Sequence, residues 1–221
     1  MEIIKLKPDE KKLKTKLVET EKRLEKKPNS WFRLEQVARI LSTLGDPRAS
    51  EFFRQAIEKY PFSPLRGSGK DRPSDFMRVG NLYRHLGEHE MAYQHFQRAR
   101  QRYSEKISEK AQRKYADPSL EIEHMIEPSF LVGQDNEVRE LIEQLCLLDP
   151  DTDIRAYAIA KLAAARQNKD MEQAAESVNQ FAQRIRRERA QIWVSGGISL
   201  WDWYEIALAV WQEQSDIELC D

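Results

Sequence analysis

The spacing of apolar and small residues between Phe76 and Ala99 constrains this chain more than any other feature. Phe76, Val79, Tyr83 and Leu86 recur at helical intervals and form one apolar stripe. Gly87 follows where that stripe stops, and glycine accepts the left-handed conformation of a helix end. Ala92, Phe96 and Ala99 then make the stripe of a second helix. Ser74, just after Pro73, reads as the N-cap of the first helix. Gly80, Ala92 and Ala99 are small enough to let the helices approach, and Phe96 fills the space between them. Phe76, Tyr83, Ala92 and Phe96 are therefore expected to be buried and packed together across one hairpin. Such a hairpin cannot cover its own apolar faces and must stack on similar neighbours.

The second-helix pattern recurs. Ala49, Phe53 and Ala56 precede Pro61, and Val138, Ile142 and Leu145 precede Pro150, where a proline stops a helix. Gly45 and Gly133 lead into these helices as Gly87 leads into its own. Ser104 stands in place of the proline in the central pair, so that helix is expected to run on. Trp31, Leu34, Ala38 and Leu41 serve as the first helix of the first pair. Ile122, Met125 and Phe130 serve for the third, with Pro128 expected to kink or end it. A fourth pair is read from Ile154, Tyr157, Ala158 and Leu162, then Ala174, Val178 and Phe181, without a turn glycine. One helix runs from near Pro8 to near Lys27, and another begins near Ser199, after Ser195-Gly196-Gly197. The total is about ten helices and no strand.

The run Phe76-x2-Val79-Gly80-x2-Tyr83-x3-Gly87-x4-Ala92-x3-Phe96-x2-Ala99 resembles the signature of the tetratricopeptide-repeat family, and the resemblance extends across Ser30 to Phe181. Equivalent positions lie 43 residues apart from Ala49 to Ala92 and 46 from Ala92 to Val138, against about 34 in the family. The excess falls in the loop Pro61 to Pro73 and in a charged extension from Tyr103 to Ala116. The fold expected is all-α: a short, irregular, tetratricopeptide-like α-solenoid of stacked helical hairpins. Residues 1–29 give an N-terminal helix packing on the solenoid, 30–187 the repeats, and 188–221 an apolar C-terminal helix and tail. The resemblance implies a non-catalytic protein-binding scaffold, an adaptor or regulatory subunit that takes a peptide or helix in its groove. First-helix residues between core positions would line that groove: Met77, Asn81, Arg84 and His85 in the best unit, and Leu120, Glu123, Glu127 and Phe130 in the third. Some family members grip a peptide carboxylate with Lys, Asn and Arg. Asn81 falls at one such position, but Met77, Leu120 and His124 stand where basic or amide groups would be needed, so the clamp is incomplete.

Other chemistries find little in the sequence. Arg66-Gly67-Ser68-Gly69-Lys70-Asp71 has Pro64 and Asp71 where a phosphate-binding loop needs Gly and Ser or Thr. His85, His89 and His95 flank a turn and read as solvated polar residues, not as a zinc set. No nucleophile elbow, dinucleotide-binding turn or HExxH is present. No cofactor and no enzymatic activity are expected. No apolar run is long enough to span a membrane, and Met1 to Lys16 is too charged for a signal peptide. With only Cys146 and Cys220, a reducing cytoplasmic setting is the expectation.

Net charge is −1, yet the charges are segregated. From Asp117 to Asp153 eleven acidic residues face Arg139 alone, a local −10, whereas Phe62 to Ala116 carries a local +6. The plainest reading is solvated helix faces with i,i+4 pairs. Steering of a charged partner is the alternative. A nucleic-acid-associated adaptor using the basic helices is a second reading of function, disfavoured because only Tyr103 and Tyr115 interleave with the cations. A toxin-neutralising protein or small enzyme on a helical scaffold is a third. In the tail, Leu200, Trp203, Ala207 and Trp211 make one stripe, and Trp201, Tyr204 and Leu208 a second. Two apolar faces exceed what one neighbouring helix pair covers. The plain reading is a helix buried between the last pair and the basic helix before it, and the sharper one puts Trp201 and Tyr204 at a partner or homodimer interface.

Overall fold

The computed structural model of the chain describes residues 2–60, 72–113, 116–148, 154–192 and 198–218. Among them are ten α-helices and no strand. The helices are α1 (Glu10–Glu25), α2 (Trp31–Thr43), α3 (Ala49–Lys59), α4 (Pro73–His85), α5 (His89–Ala111), α6 (Ser119–Leu131), α7 (Asp135–Leu148), α8 (Ile154–Asn168), α9 (Met171–Glu188) and α10 (Leu200–Glu218). None is long and apolar enough to cross a membrane. The Gly-Ser-Gly-Lys run, Trp193, the Ser195-Gly196-Gly197 break and Cys220 lie outside the described residues.

Local chemistry explains the helix starts. Asp9 and Asp170 accept from the Lys12 and Gln173 backbone N–H groups, each at 3.0 Å, caps that stabilise by about 1 kcal/mol each. At α4 the expected cap Ser74 is already helical. Pro73 is the first helical residue and Arg72 the cap, because proline has its φ preset and no N–H to leave unsatisfied there. Pro128 does not end α6, which continues to Leu131.

A single turn geometry recurs five times, the fifth at Arg189 after α9, where φ is 50° and the Ala190 N–H donates to the Ile185 carbonyl at 3.0 Å. Gly45, Gly87 and Gly133 have φ of 71°, 74° and 77°, and Lys169 after α8 has φ 53°. In each case the next N–H donates to the carbonyl five residues back: Asp46 to Leu41, Glu88 to Tyr83, Gln134 to Ser129 and Asp170 to Ala165, at 2.9–3.0 Å. This bond closes a helix whose last residue turns left-handed. A Cβ at any of the three glycines would meet nothing within 4 Å, so conformation, not space, selects glycine. Lys169 makes the same turn without it, at a strain on the order of 1 kcal/mol.

Helices α1 to α4, and α6 to α10, each pack on their neighbours in sequence, and the chain divides into two compact units. One comprises 6–95 with 191–199, and the other 1–5 with 96–190 and 200–221, as far as these are described. In the first, α1 packs on α2, α2 on α3 and α3 on α4. Leu34, Val37, Ala38, Leu41, Phe53, Ala56 and Leu82 form its core. In the second, α6, α7, α8, α9 and α10 pack in succession, and α8 also meets α6 and α10. Trp203 is wholly buried there, with ring centroids 5.5 Å from Phe130 and 6.1 Å from Phe181.

The expected second-helix positions are buried at Ala49, Phe53 and Ala56, at Ala92, Phe96 and Ala99, and at Ala174, Val178 and Phe181. Three expectations change. Leu141, not Ile142, takes the buried place between Val138 and Leu145. Tyr83 is half-buried, stacked on His95 at 5.3 Å, while Phe76 is buried. Tyr157 is 38% exposed.

Candidate protein-binding surfaces

In the α1–α4 unit the four residues expected along α4 separate into two pairs. Met77 and Asn81 are buried, at 5% and 0% exposure, so they belong to the core and not to a groove. Arg84 and His85 are half-buried at the helix C-terminus, where positive charge is favoured. Arg84 Nε donates to Asn81 Oδ1 at 2.8 Å, and the His85 ring lies parallel to Phe53 at 5.1 Å. His85 and His95 are therefore packed on aromatic rings and are not solvated around the turn as expected. His89 is exposed. No group of three or more His, Cys, Asp or Glu among the described residues is placed to hold a metal.

A cluster that sequence reading missed lies beside them. The Tyr60 hydroxyl donates to Asp75 at 2.7 Å, Trp31 meets Tyr60 edge-on at 4.6 Å, and the Arg78 guanidinium sits 5.6 Å above Trp31. Burial, then the bond to Asp75, pushes the Tyr60 hydroxyl far above its ordinary pKa. Only the position of Tyr60 at the end of its helix, before Pro61, hinted at this.

In the α6–α10 unit the acidic stretch is neutralised from both sides. Arg100 of α5 holds Glu137 of α7 at 2.5 and 2.7 Å, and Lys110 of α5 holds Glu121 of α6 at 2.5 Å. From α8, Arg155 reaches Glu127 at 3.0 Å and Arg166 reaches Asp135 at 2.5 Å. Arg166 also donates to the Phe130 carbonyl at 2.8 Å and lies 4.1 Å from the centre of that ring. The expected i,i+4 pairing does not describe these residues, whose partners stand on other helices. Glu127 accepts in addition from Trp203 Nε1 at 3.3 Å. Burial pushes its carboxyl up, against the pull of Arg155. At Glu137 burial also raises the pKa, but the hydrogen bonds and charge of Arg100 outweigh it and the net shift is downward.

Of the other residues expected in the groove, Phe130 is buried, Glu123 half-buried, and Leu120 and His124 exposed, the His124 ring 5.7 Å from Tyr103. On α10 the two residues expected to face a second subunit are engaged within their own unit. Trp201 Nε1 donates to the Ala190 carbonyl at 3.0 Å, and Tyr204, 5% exposed, donates to the Ile4 carbonyl at 3.1 Å. The structure thus joins Glu127 to α10 through Trp203, with Tyr204 buried and Trp201 half-buried.

Besides Leu120 on α6, the large exposed apolar residues of this unit lie on α7 and α8. Leu147 is 86% and Leu148 51% exposed at the end of α7, and Cys146 Sγ lies 3.0 Å from the Tyr157 hydroxyl on α8. Glu140 and Glu143 precede them at helical spacing, exposed on the face that carries Leu147. No protein-family model matches the chain, and no curated protein matches it.

Proposed function

We propose that this chain is a non-catalytic protein-interaction module of the tetratricopeptide kind, an adaptor or regulatory subunit. Its partner surface is the end of the α7–α8 hairpin. The observation that carries this reading is the exposed pair Leu147 and Leu148 at the end of α7, after exposed Glu140 and Glu143, with the exposed Tyr157 of α8 held against Cys146. Exposed apolar residues bounded by charge are typical of protein contact sites, and the acidic border favours a partner segment that is apolar and basic. The α4 positions support the reading less, since Met77 and Asn81 are interior. Nucleic-acid binding is disfavoured further, because Arg100, Lys110, Arg155 and Arg166 already hold carboxylates.

The test compares the parent with a Leu147→Asp, Leu148→Asp double variant as bait in source-cell extract, with mass spectrometry of what is retained. A protein held stoichiometrically by the parent and lost by the variant, at equal helix content, is the expected outcome. Equal retention by both moves the contact elsewhere, and retention of nucleic acid in place of protein overturns the reading.

A further inference from the structure

Residues 2–5 precede α1 in sequence but belong to the unit that contains α9 and α10. They form no helix. The Ile4 N–H donates to Asn179 Oδ1 at 2.7 Å, and Asn179 Nδ2 donates to the Glu2 carbonyl at 3.1 Å. The Tyr204 hydroxyl donates to the Ile4 carbonyl at 3.1 Å. Side chains of an extended chain alternate with a period of two. The main-chain groups of residues two apart therefore share an edge, so the Glu2 carbonyl and both polar groups of Ile4 form one edge. The Glu2 carbonyl, the Ile4 N–H and the Ile4 carbonyl each meet a side chain of the helical scaffold.

The chemistry of Asn179 is what makes this arrangement informative. A carboxamide offers one acceptor oxygen and a donor nitrogen at nearly the separation of a peptide unit. Asn179 thus acts on the segment as the edge of a neighbouring strand would, the recognition mode of strand addition. These contacts read main chain and do not depend on the side chains of residues 2–5. Side-chain selectivity comes from Ile3 and Ile4, which are half-buried between exposed Glu2 and Lys5.

We propose that Asn179 and Tyr204 form a main-chain-reading site for an extended peptide with two adjacent aliphatic residues. Residues 2–5 occupy it in cis, and a peptide of the same pattern takes it in trans. This site is separate from the α7–α8 surface, and its test does not depend on that surface binding anything. The tethered segment competes at an effective concentration in the millimolar range, so the parent should accept an external peptide poorly.

The experiment uses the full chain and a fluorescent peptide MEIIKLK, followed by anisotropy. Ile4→Pro removes the N–H that Asn179 holds, and it should bind the peptide at least ten-fold more tightly than the parent does. Adding Asn179→Ala should weaken that binding at least ten-fold, as should N-methylation of the second isoleucine of the peptide. A second measurement keeps the test valid if Ile4→Pro loses helix content. In the parent, the Ile4 amide should exchange with solvent slowly, and faster as unlabelled peptide is added in excess. Failure of the peptide to bind Ile4→Pro, equal binding without Asn179, or Ile4 exchange indifferent to peptide would each show that residues 2–5 are a fixed structural tie.

Discussion

The two units of this protein are held together by different forces. In the α1–α4 unit the contacts between helices are mainly apolar and aromatic, with the Tyr60–Asp75 hydrogen bond beside them: the Leu34–Phe53–Leu82 core, Phe53 on His85, and Trp31 on Tyr60. Its ion pairs run along single helices or between sequence neighbours, such as Glu35–Arg39, almost wholly buried within α2. Arg48–Glu21, which joins separate elements, is 3.8 Å long with Arg48 57% exposed. In the α6–α10 unit the core is also apolar, but four ion pairs at 2.5–3.0 Å bind α5 to α6 and α7, and α8 to α6 and α7's first residue. The difference teaches what the segregated charges are for. A basic α5 and an acidic α6–α7 hairpin specify who packs on whom, because a mispaired neighbour would leave half-buried carboxylates unpaired.

The largest effect should come from the element common to both kinds of bonding. Trp203→Ala removes a wholly buried ring and one of the two partners of Glu127. It should destabilise the α6–α10 unit by about 3–5 kcal/mol, read as lost protection of α6 and α8 amides in hydrogen exchange. Phe53→Ala should cost the other unit about as much. A Trp203 loss well below that range would mean that packing contributes less here than in the α1–α4 unit.

Charge separates the two more sharply. Arg166→Met leaves Asp135 without its ion-pair partner and removes one of the donors to the Phe130 carbonyl, and should cost about 2 kcal/mol given the partial exposure of the pair. Raising salt to about 1 M shortens the screening length to about 3 Å. It should then loosen α7 and α8 more than α2 and α3. Equal response of the two units to salt would break the comparison.

Within the charged unit, pH should act in two directions. Glu127 has its folded-state pKa raised by burial, so its contribution is present at low pH and is lost as pH rises from the ordinary value of 4.5 through the raised one. Glu137 has its pKa lowered on balance, so its contribution is present above 4.5 and is lost as pH falls through the lowered value. Denaturant unfolding across this range should show Glu127→Gln abolishing the loss on the higher-pH side. Glu137→Gln should abolish the loss on the acid side.

The smallest expected change is a gain. Lys169→Gly relieves a left-handed lysine but frees the unfolded chain, a net stabilisation of about 0.5 kcal/mol. Gly87→Ala, in the equivalent turn of the other unit, should lose about 1 kcal/mol. Opposite signs in thermal melts would confirm that the glycine and lysine turns are equivalent.

Much of this was legible from residues alone. The helix positions, the buried triads led by Phe53, Phe96 and Phe181, and the turns at Gly45, Gly87 and Gly133 all depend on residues within five positions of one another. Short-range sterics and periodicity decide them. Other readings failed because a helix face is defined by its neighbour. Met77 and Asn81 lie between the apolar positions of α4 yet are covered, and Tyr157 lies among apolar positions yet is exposed. The acidic stretch was visible as composition, but its partners Arg100 and Arg166 stand 37 and 31 residues from Glu137 and Asp135. Asn179 gave no signal at all, since one asparagine on a helix is ordinary until a main chain 175 residues away is laid against it. The sequence by itself determined ten helices and where they turn, through interactions local along the chain. Which faces are covered, which charges meet and where residues 2–5 come to rest were decided only by tertiary structure, because those contacts join groups whose separation along the chain carries no pattern.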